Sequence, residues 1–174
     1  MATVGADGYP YITPVNYVWH QGNIYFHSAP QGEKLDNLAR DSRVCFEVDI
    51  PLAYLDSRFD PDRRICHVHQ LYHSVIIRGE ARVVPEGPQK IAALNALATK
   101  HESGSDHEPV DEEMPGYRAC AVVEISPTFI SAKSELLQDR STEERYALAQ
   151  YLKNRNRLRD LETVAAMGFN PEDM

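Results

Sequence analysis

Apolar and polar positions alternate with a period of two over several short stretches of the N-terminal half, which is the spacing of half-buried strands. Residues 11–19 (YITPVNYVW) are rich in β-branched and aromatic side chains, and 20–23 (HQGN) turn the chain into 24–27 (IYFH), so two paired antiparallel strands are expected there. Ala6, Asp7 and Gly8 mark a hairpin ahead of them. Pro14 has no N–H to give to a ladder, which predicts a bulge or an unpaired edge where something other than a neighbouring strand meets the backbone. Leu35, Leu38 and Ala39 fall at helical spacing over 33–40, and 43–49 (RVCFEVD) return to alternation, so a short helix is expected between strands. Residues 50–64, with two prolines and mixed charge, predict an irregular excursion. Strand character resumes over 66–84, where Gly79 is expected to bend the strand. An amphipathic helix over 88–101, an acidic solvated loop over 102–113 and last strands at 119–125 and 129–132 complete the pattern. Ser141 with Glu144 three residues on is a capping-box start, and the tail is expected to run helically past Leu161. With at least six short strands and no βαβ rhythm, the expected fold is mainly β with peripheral helices, an antiparallel barrel or sandwich. One domain is expected over residues 1–140, with a helical extension over 141–174.

Composition narrows the functional classes. A length of 174 residues, 43% of them hydrophobic and 25% charged, suits one soluble globular domain. No apolar run approaches the roughly 20 residues of a membrane span, so no membrane partner is expected. Against 26 acidic residues stand 18 basic ones, and the net charge of −8 opposes the phosphate attraction behind most nucleic-acid binding, so no nucleic-acid partner is expected. The first residues have neither the basic nor the apolar region of a signal peptide, and Cys45, Cys66 and Cys120 are too few and too scattered for a disulfide framework. A cytoplasmic location follows as the expectation.

The segment YFHSAPQGEKLDNL, residues 25–38, begins as a strand, passes through a small polar loop with Gly32 and becomes helical with Lys34 in the first turn. Free N–H groups at such a helix start attract an anion, and Ser28 and Lys34 add a hydroxyl donor and a point charge, so the segment reads as a phosphate cradle. On these residues alone an ordinary turn with a solvated lysine and a locally bonded His27 is the simpler reading, and no Walker or GxGxxG pattern is present to overturn it. Cys66, His67, His69 and His73 invite a metal site, but on one extended strand the three histidines share a face and Cys66 points the other way, so no metal is expected.

The ordered set 8–17 (GYPYITPVNY), 24–29 (IYFHSA), 32–34 (GEK), 43–46 (RVCF), 72–75 (YHSV) and 79–81 (GEA) resembles the pyridoxamine 5'-phosphate oxidase-like flavin proteins, and within them the nitroimidazole-resistance branch. The resemblance covers roughly residues 4–133. It implies an FMN-binding split β-barrel that forms a homodimer with FMN at the subunit interface. Carried over by position, Thr13, Pro14, Val15 and Asn16 run along the flavin ring, Phe26, His27, Ser28, Ala29 and Lys34 address the ribityl phosphate, and Tyr72, Ser74 and Val75 close the pocket. Lys133 is the candidate contribution of the partner subunit, and His27 the candidate proton donor. The implied activity is an FMN-dependent oxidoreductase, flavin reductase or nitroreductase-like, acting on a small organic acceptor; the alternative is a non-catalytic FMN or haem carrier of the same fold. The chain departs from the family in having Met1 almost at the first strand, either because it is short or because its start is misplaced, and in ending without the arginine-bearing segment of true pyridoxamine phosphate oxidases. The oxidation of pyridoxamine phosphate itself is therefore not expected.

Overall fold

The computed structural model describes residues 1–173. Seven strands, β1 (Ala2–Val4), β2 (Pro10–Ile12), β3 (Tyr17–His20), β4 (Asn23–Ser28), β5 (Arg43–Leu55), β6 (His69–Val83) and β7 (Ala121–Glu135), form one sheet in the order β2-β1-β5-β6-β7-β4-β3. The sheet is antiparallel, with helices at its periphery. The helices are α1 (Glu33–Arg40), α2 (Pro88–His101), α3 (Pro115–Ala119), α4 (Thr142–Arg155) and α5 (Asp160–Ala166). Among the described residues no helix is long and apolar enough to cross a membrane.

The chain divides into two compact units, one of Met1–Glu47 with Ile76–Ile130, the other of Val48–Val75 with the chain from Ser131 on. In the first unit the 6–8 hairpin pairs Ala2 with Ile12 and Val4 with Pro10, and β3 pairs with β4 from Tyr17 opposite Phe26 to His20 opposite Asn23. Val18, Tyr25, Val84, Ala93, Leu97 and Val122 form a core between α2 and the strands. Glu124 is buried among them, and its carboxylate accepts from Asn23 Nδ2, Tyr25 OH and Gln89 Nε2 at 2.8–3.0 Å and pairs with Arg82 at 2.5 Å, so the buried charge is fully partnered. Gly79 lies on β6 where a Cβ would fall against the backbone oxygen of Ser126. Gly79→Ala is therefore expected to cost about 1–3 kcal/mol of stability by overpacking, read as a lower urea midpoint.

In the second unit Leu55, Leu71, Leu148, Leu152 and Val164 meet in a core that joins the strand ends to the C-terminal helices. Ser141 caps α4 through a complete capping box with Glu144. The tail is not one helix. Asn156 adopts the left-handed conformation after α4, and a new helix starts at Asp160, whose buried carboxylate is gripped by Arg155 Nε and Nη2 at 2.9 and 2.6 Å and by the Arg157 N–H at 2.8 Å. Arg155 Nη1 also reaches the Tyr54 carbonyl and Asp56, to which Tyr151 OH donates at 2.6 Å.

Other boundaries differ from the sequence expectation in ways that local packing explains. The excursion expected over 50–64 is strand as far as Leu55, because Leu52, Ala53 and Leu55 have a core to enter, and only then breaks into a 3-10 turn at Ser57–Phe59. Cys66 and His67 lie in a second 3-10 turn, Ile65–His67, and not on β6, so the histidine row is broken at its first member. The two last strands are one continuous strand, β7, preceded by α3.

Candidate functional site

The site builds from the end of β4. Residues 29–32 carry the chain from Ser28 into α1, and Gly32 stands at the helix N-cap with φ 133° and ψ 162°, a conformation that suits glycine. No side chain caps this helix, so its N-terminal dipole end is left to solvent or to an anion. Lys34, in the first turn, is half-buried, and the Ser28 hydroxyl donates to the carbonyl of Ala29 at 2.9 Å. A helix start, a hydroxyl and an ammonium make a donor set chemically suited to a phosphate group. The helix that carries them is fixed to β1: buried Asn37 donates to Thr3 Oγ1 at 3.0 Å, and Arg40 bonds both Asn37 Oδ1 and the Val4 carbonyl.

Residues 13–16 lie between β2 and β3, outside the strand ladder, as Pro14 implied. Thr13 has its backbone occupied, since its N–H donates to the Met1 carbonyl and its own carbonyl accepts from the Met1 amine, both at 3.0 Å. Pro14 and Asn16 are exposed and Val15 is half-buried, which leaves these three to meet a ligand. Phe26 is not available in that way. Its side chain is 0% exposed, part of the core, and only its backbone stands at the strand end beside exposed His27 and Ala29.

Asn16 and His27 come together. They line a cavity of about 430 Å³ whose other walls include Leu94, Leu97 and His101 of α2 with Tyr117 and Cys120. Ser28 and Lys34 are not among its lining residues. The C-terminal end of α2 is docked on β3 at one atom, the Tyr17 carbonyl, which accepts from Lys100 Nζ at 2.7 Å and lies 3.2 Å from His101 Nε2. Lys100 also sits over the Tyr17 ring, 3.6 Å from its centroid, and burial lowers its pKa from the ordinary lysine value. Lys90 Nζ, bonded to the Cys120 carbonyl and stacked on Tyr117, holds the far wall, while the Asn95 side chain grips Val110 through both N–H and C=O at 2.8 and 3.0 Å. His101, Tyr117 and Cys120 escape a sequence reading because they join His27 only when α2 lies across β3 and β4. A histidine closing a helix was the one local signal.

The remaining predicted residues belong to the second unit. Tyr72, Ser74 and Val75 are half-buried on β6, and Lys133 is exposed on β7 with its Nζ 5.7 Å from the centroid of the Tyr72 ring. The Tyr72 hydroxyl beside it raises the Lys133 pKa above the usual value. His73 Nδ1 lies 2.7 Å from Ser134 Oγ and His67 Nδ1 2.8 Å from Asp60, so these two histidines serve separate partners. Among the described residues no three His, Cys, Asp or Glu side chains are grouped to hold a metal ion.

A model of the family described as pyridoxamine 5'-phosphate oxidase matches residues 1–134. Among solved structures, one described as a 5-nitroimidazole antibiotic resistance protein from Bacteroides thetaiotaomicron VPI-5482 superposes with a TM-score of 0.61 at 21% identity, over 75% of this chain and 72% of that one. The FAD and heme binding protein from Mycobacterium smegmatis gives a TM-score of 0.65 at 16% identity, covering 84% and 69%. An FAD-binding protein from Mesorhizobium loti gives 0.52 at 18% identity, covering 75% and 81%. At such identities the likeness is one of fold, the split β-barrel. Among curated proteins none matches the sequence.

Proposed function

Because the chain belongs to the pyridoxamine 5'-phosphate oxidase family, we propose that it is a flavin-dependent oxidoreductase that binds FMN and acts on a small organic acceptor. The observation that carries this reading is the uncapped start of α1 behind Gly32, with Lys34 half-buried in its first turn. These residues fit the group: the helix end, Ser28 and Lys34 suit its phosphate, and the backbone and side chain of residues 14–16, free of strand pairing, suit the polar edge of a flat ring. When bound, the flavin supplies the redox chemistry, accepting electrons from a reductant such as a nicotinamide and yielding them to the acceptor. Asn16 orients the ligand edge at the cavity mouth. His27, exposed beside it on β4, holds the proton that the reduced acceptor requires. The apolar wall of Leu94 and Leu97 excludes water from that side.

We further propose a homodimer with the flavin at its interface, to which Tyr72, Ser74, Val75 and Lys133 contribute. Ile76, Phe129 and Ile130 favour this, being 40%, 54% and 51% exposed, a costly display of apolar surface for a chain that stays single. Equilibrium sedimentation with and without FMN tests the assembly: a dimer is expected, and a monomer in both conditions rejects the interface.

The direct test is a visible spectrum of the purified protein after FMN is added and the excess removed, followed by anaerobic addition of NADH or NADPH. Retained flavin bands that bleach on reduction support the oxidoreductase; retained bands that no reductant bleaches support a carrier. A colourless protein rejects both. Lys34→Ala is expected to weaken FMN binding by about 1–3 kcal/mol through loss of a charge-assisted phosphate contact, measured by fluorescence titration, and unchanged affinity counts against the cradle.

A further inference from the structure

The second unit contains a cavity of about 430 Å³ that the flavin reading does not use, within the size range of small-molecule sites. Its floor is apolar, made by Leu55, Phe59, Pro61, Leu137 and Leu148. Three arginines, Arg64, Arg140 and Arg145, line it with His67 and His69.

The two acids at the rim are already spent. Asp60, buried, receives Arg64 Nε and Nη2 at 2.8 and 3.2 Å, the backbone N–H groups of Asp62 and Arg64 at 3.1 and 3.2 Å, and His67 Nδ1 at 2.8 Å. Glu144 accepts from the Ser141 N–H at 3.0 Å in the capping box, with Arg140 only at 3.8 Å. Arg140 is thus held weakly. Arg145, stacked on Phe169, gives Nη2 to the Met167 carbonyl at 2.6 Å, and its guanidinium lines the cavity with no carboxylate paired to it among the described residues.

From this we propose that the cavity binds a monocarboxylate with an apolar body, its hydrocarbon against the leucine floor and its carboxylate between Arg140 and Arg145. A guanidinium pairs with a carboxylate through two parallel hydrogen bonds, and an apolar body is what a floor of leucines and a phenylalanine accepts. An inorganic anion meets the charge but leaves that floor wet. Leu137, Arg140, Arg145 and Leu148 lie beyond residues 1–134, so the part of the wall that would hold the carboxylate comes from outside the family match, while Leu55, Phe59, Pro61, Arg64, His67 and His69 come from within it.

Calorimetric titration of the full chain tests it, with octanoate as the probe, octanamide as the neutral match and acetate as the charge without the body. Octanoate is expected to bind saturably at one site, octanamide roughly tenfold more weakly, and acetate not measurably. Arg140→Gln, at an exposed side chain, is expected to weaken octanoate by roughly the same factor. Ala147→Trp, which fills the cavity from the exposed face of α4, is expected to abolish binding while the unfolding midpoint stays put. Equal affinity for octanoate and octanamide overturns the carboxylate assignment. Binding unmoved by either variant, or no binding at millimolar octanoate, overturns the site.

Discussion

Replacing Asp160 by alanine is expected to lower the unfolding free energy by about 3–5 kcal/mol, the usual cost of stripping one partner from a buried ion pair. Asp160 is 0% exposed, and its two oxygens take up Arg155 Nε and Nη2 and the Arg157 backbone, so its loss leaves a guanidinium in a dry place with Asp56, the Tyr54 carbonyl and the Tyr151 ring to meet it. Urea denaturation followed by circular dichroism measures the change, and a loss below 1 kcal/mol would reject a structural role for the pair. The effect carries a pH signature. Burial pushes the Asp160 carboxyl up, the hydrogen bonds from Arg155 and Arg157 pull it down, and the balance lies below the ordinary value. Asp56 is likewise held well below it, by Arg58 first and by Tyr151. A carboxyl depressed in the folded state contributes its stability above the unfolded pKa, near 4, and forfeits it as pH falls through the folded value. The gap between the native chain and Asp160→Ala is therefore expected to be full at neutral pH and to close in acid.

Phe26→Ala is expected to cost a similar 3–5 kcal/mol, through the cavity left by a large aromatic side chain. Phe26 is 0% exposed and sits between Tyr17 on one side of its strand and Val123 on the other. The expected result separates packing from recognition: a much lower urea midpoint, with FMN affinity little changed in whatever fraction stays folded at low temperature. A small stability loss with a large affinity loss would instead make Phe26 a ligand contact.

That residue also marks how far the site is legible in sequence. The pattern 24–28 identifies a strand end, and a family resemblance attaches the whole end to a ligand, but which way each side chain points depends on register against β3 and β7, and that register sends Phe26 inward and His27 outward. Helices α1 and α2 are legible to the residue because Gly32 and Gly87 precede them and Pro88 opens the second. The break in the C-terminal helix is not, since Asn156, Arg157, Leu158 and Arg159 contain no glycine or proline to announce it. Asn156 turns left-handed at the stop, and long-range bonds hold the break in place: Arg155 reaches Asp56 and Tyr54, about a hundred positions away, and pairs with Asp160. The strand extension through Leu55 is hidden for the same reason, its apolar side chains having meaning only once α4 and α5 are there to cover them. In the cavity beside His27, Asn16 and His27 are within reach of a local reading; His101, Tyr117 and Cys120 require knowledge of which helix lies across which strands.

The Asn95 clasp on Val110 acts as a bulkhead. Val110, Met114 and Gly116 are fixed as cavity wall downstream of it, whereas the acidic run from Glu102 to Pro109 hangs outside as a span whose two ends are already pinned. Closing a flexible span costs little more when it is lengthened, about 0.6 kcal/mol for each doubling. Over evolutionary time that run is thus free to drift, lengthen or acquire a docking peptide with the cavity inherited unchanged, and in the laboratory it is the place to insert a tag or a fluorophore without disturbing the cavity wall beneath.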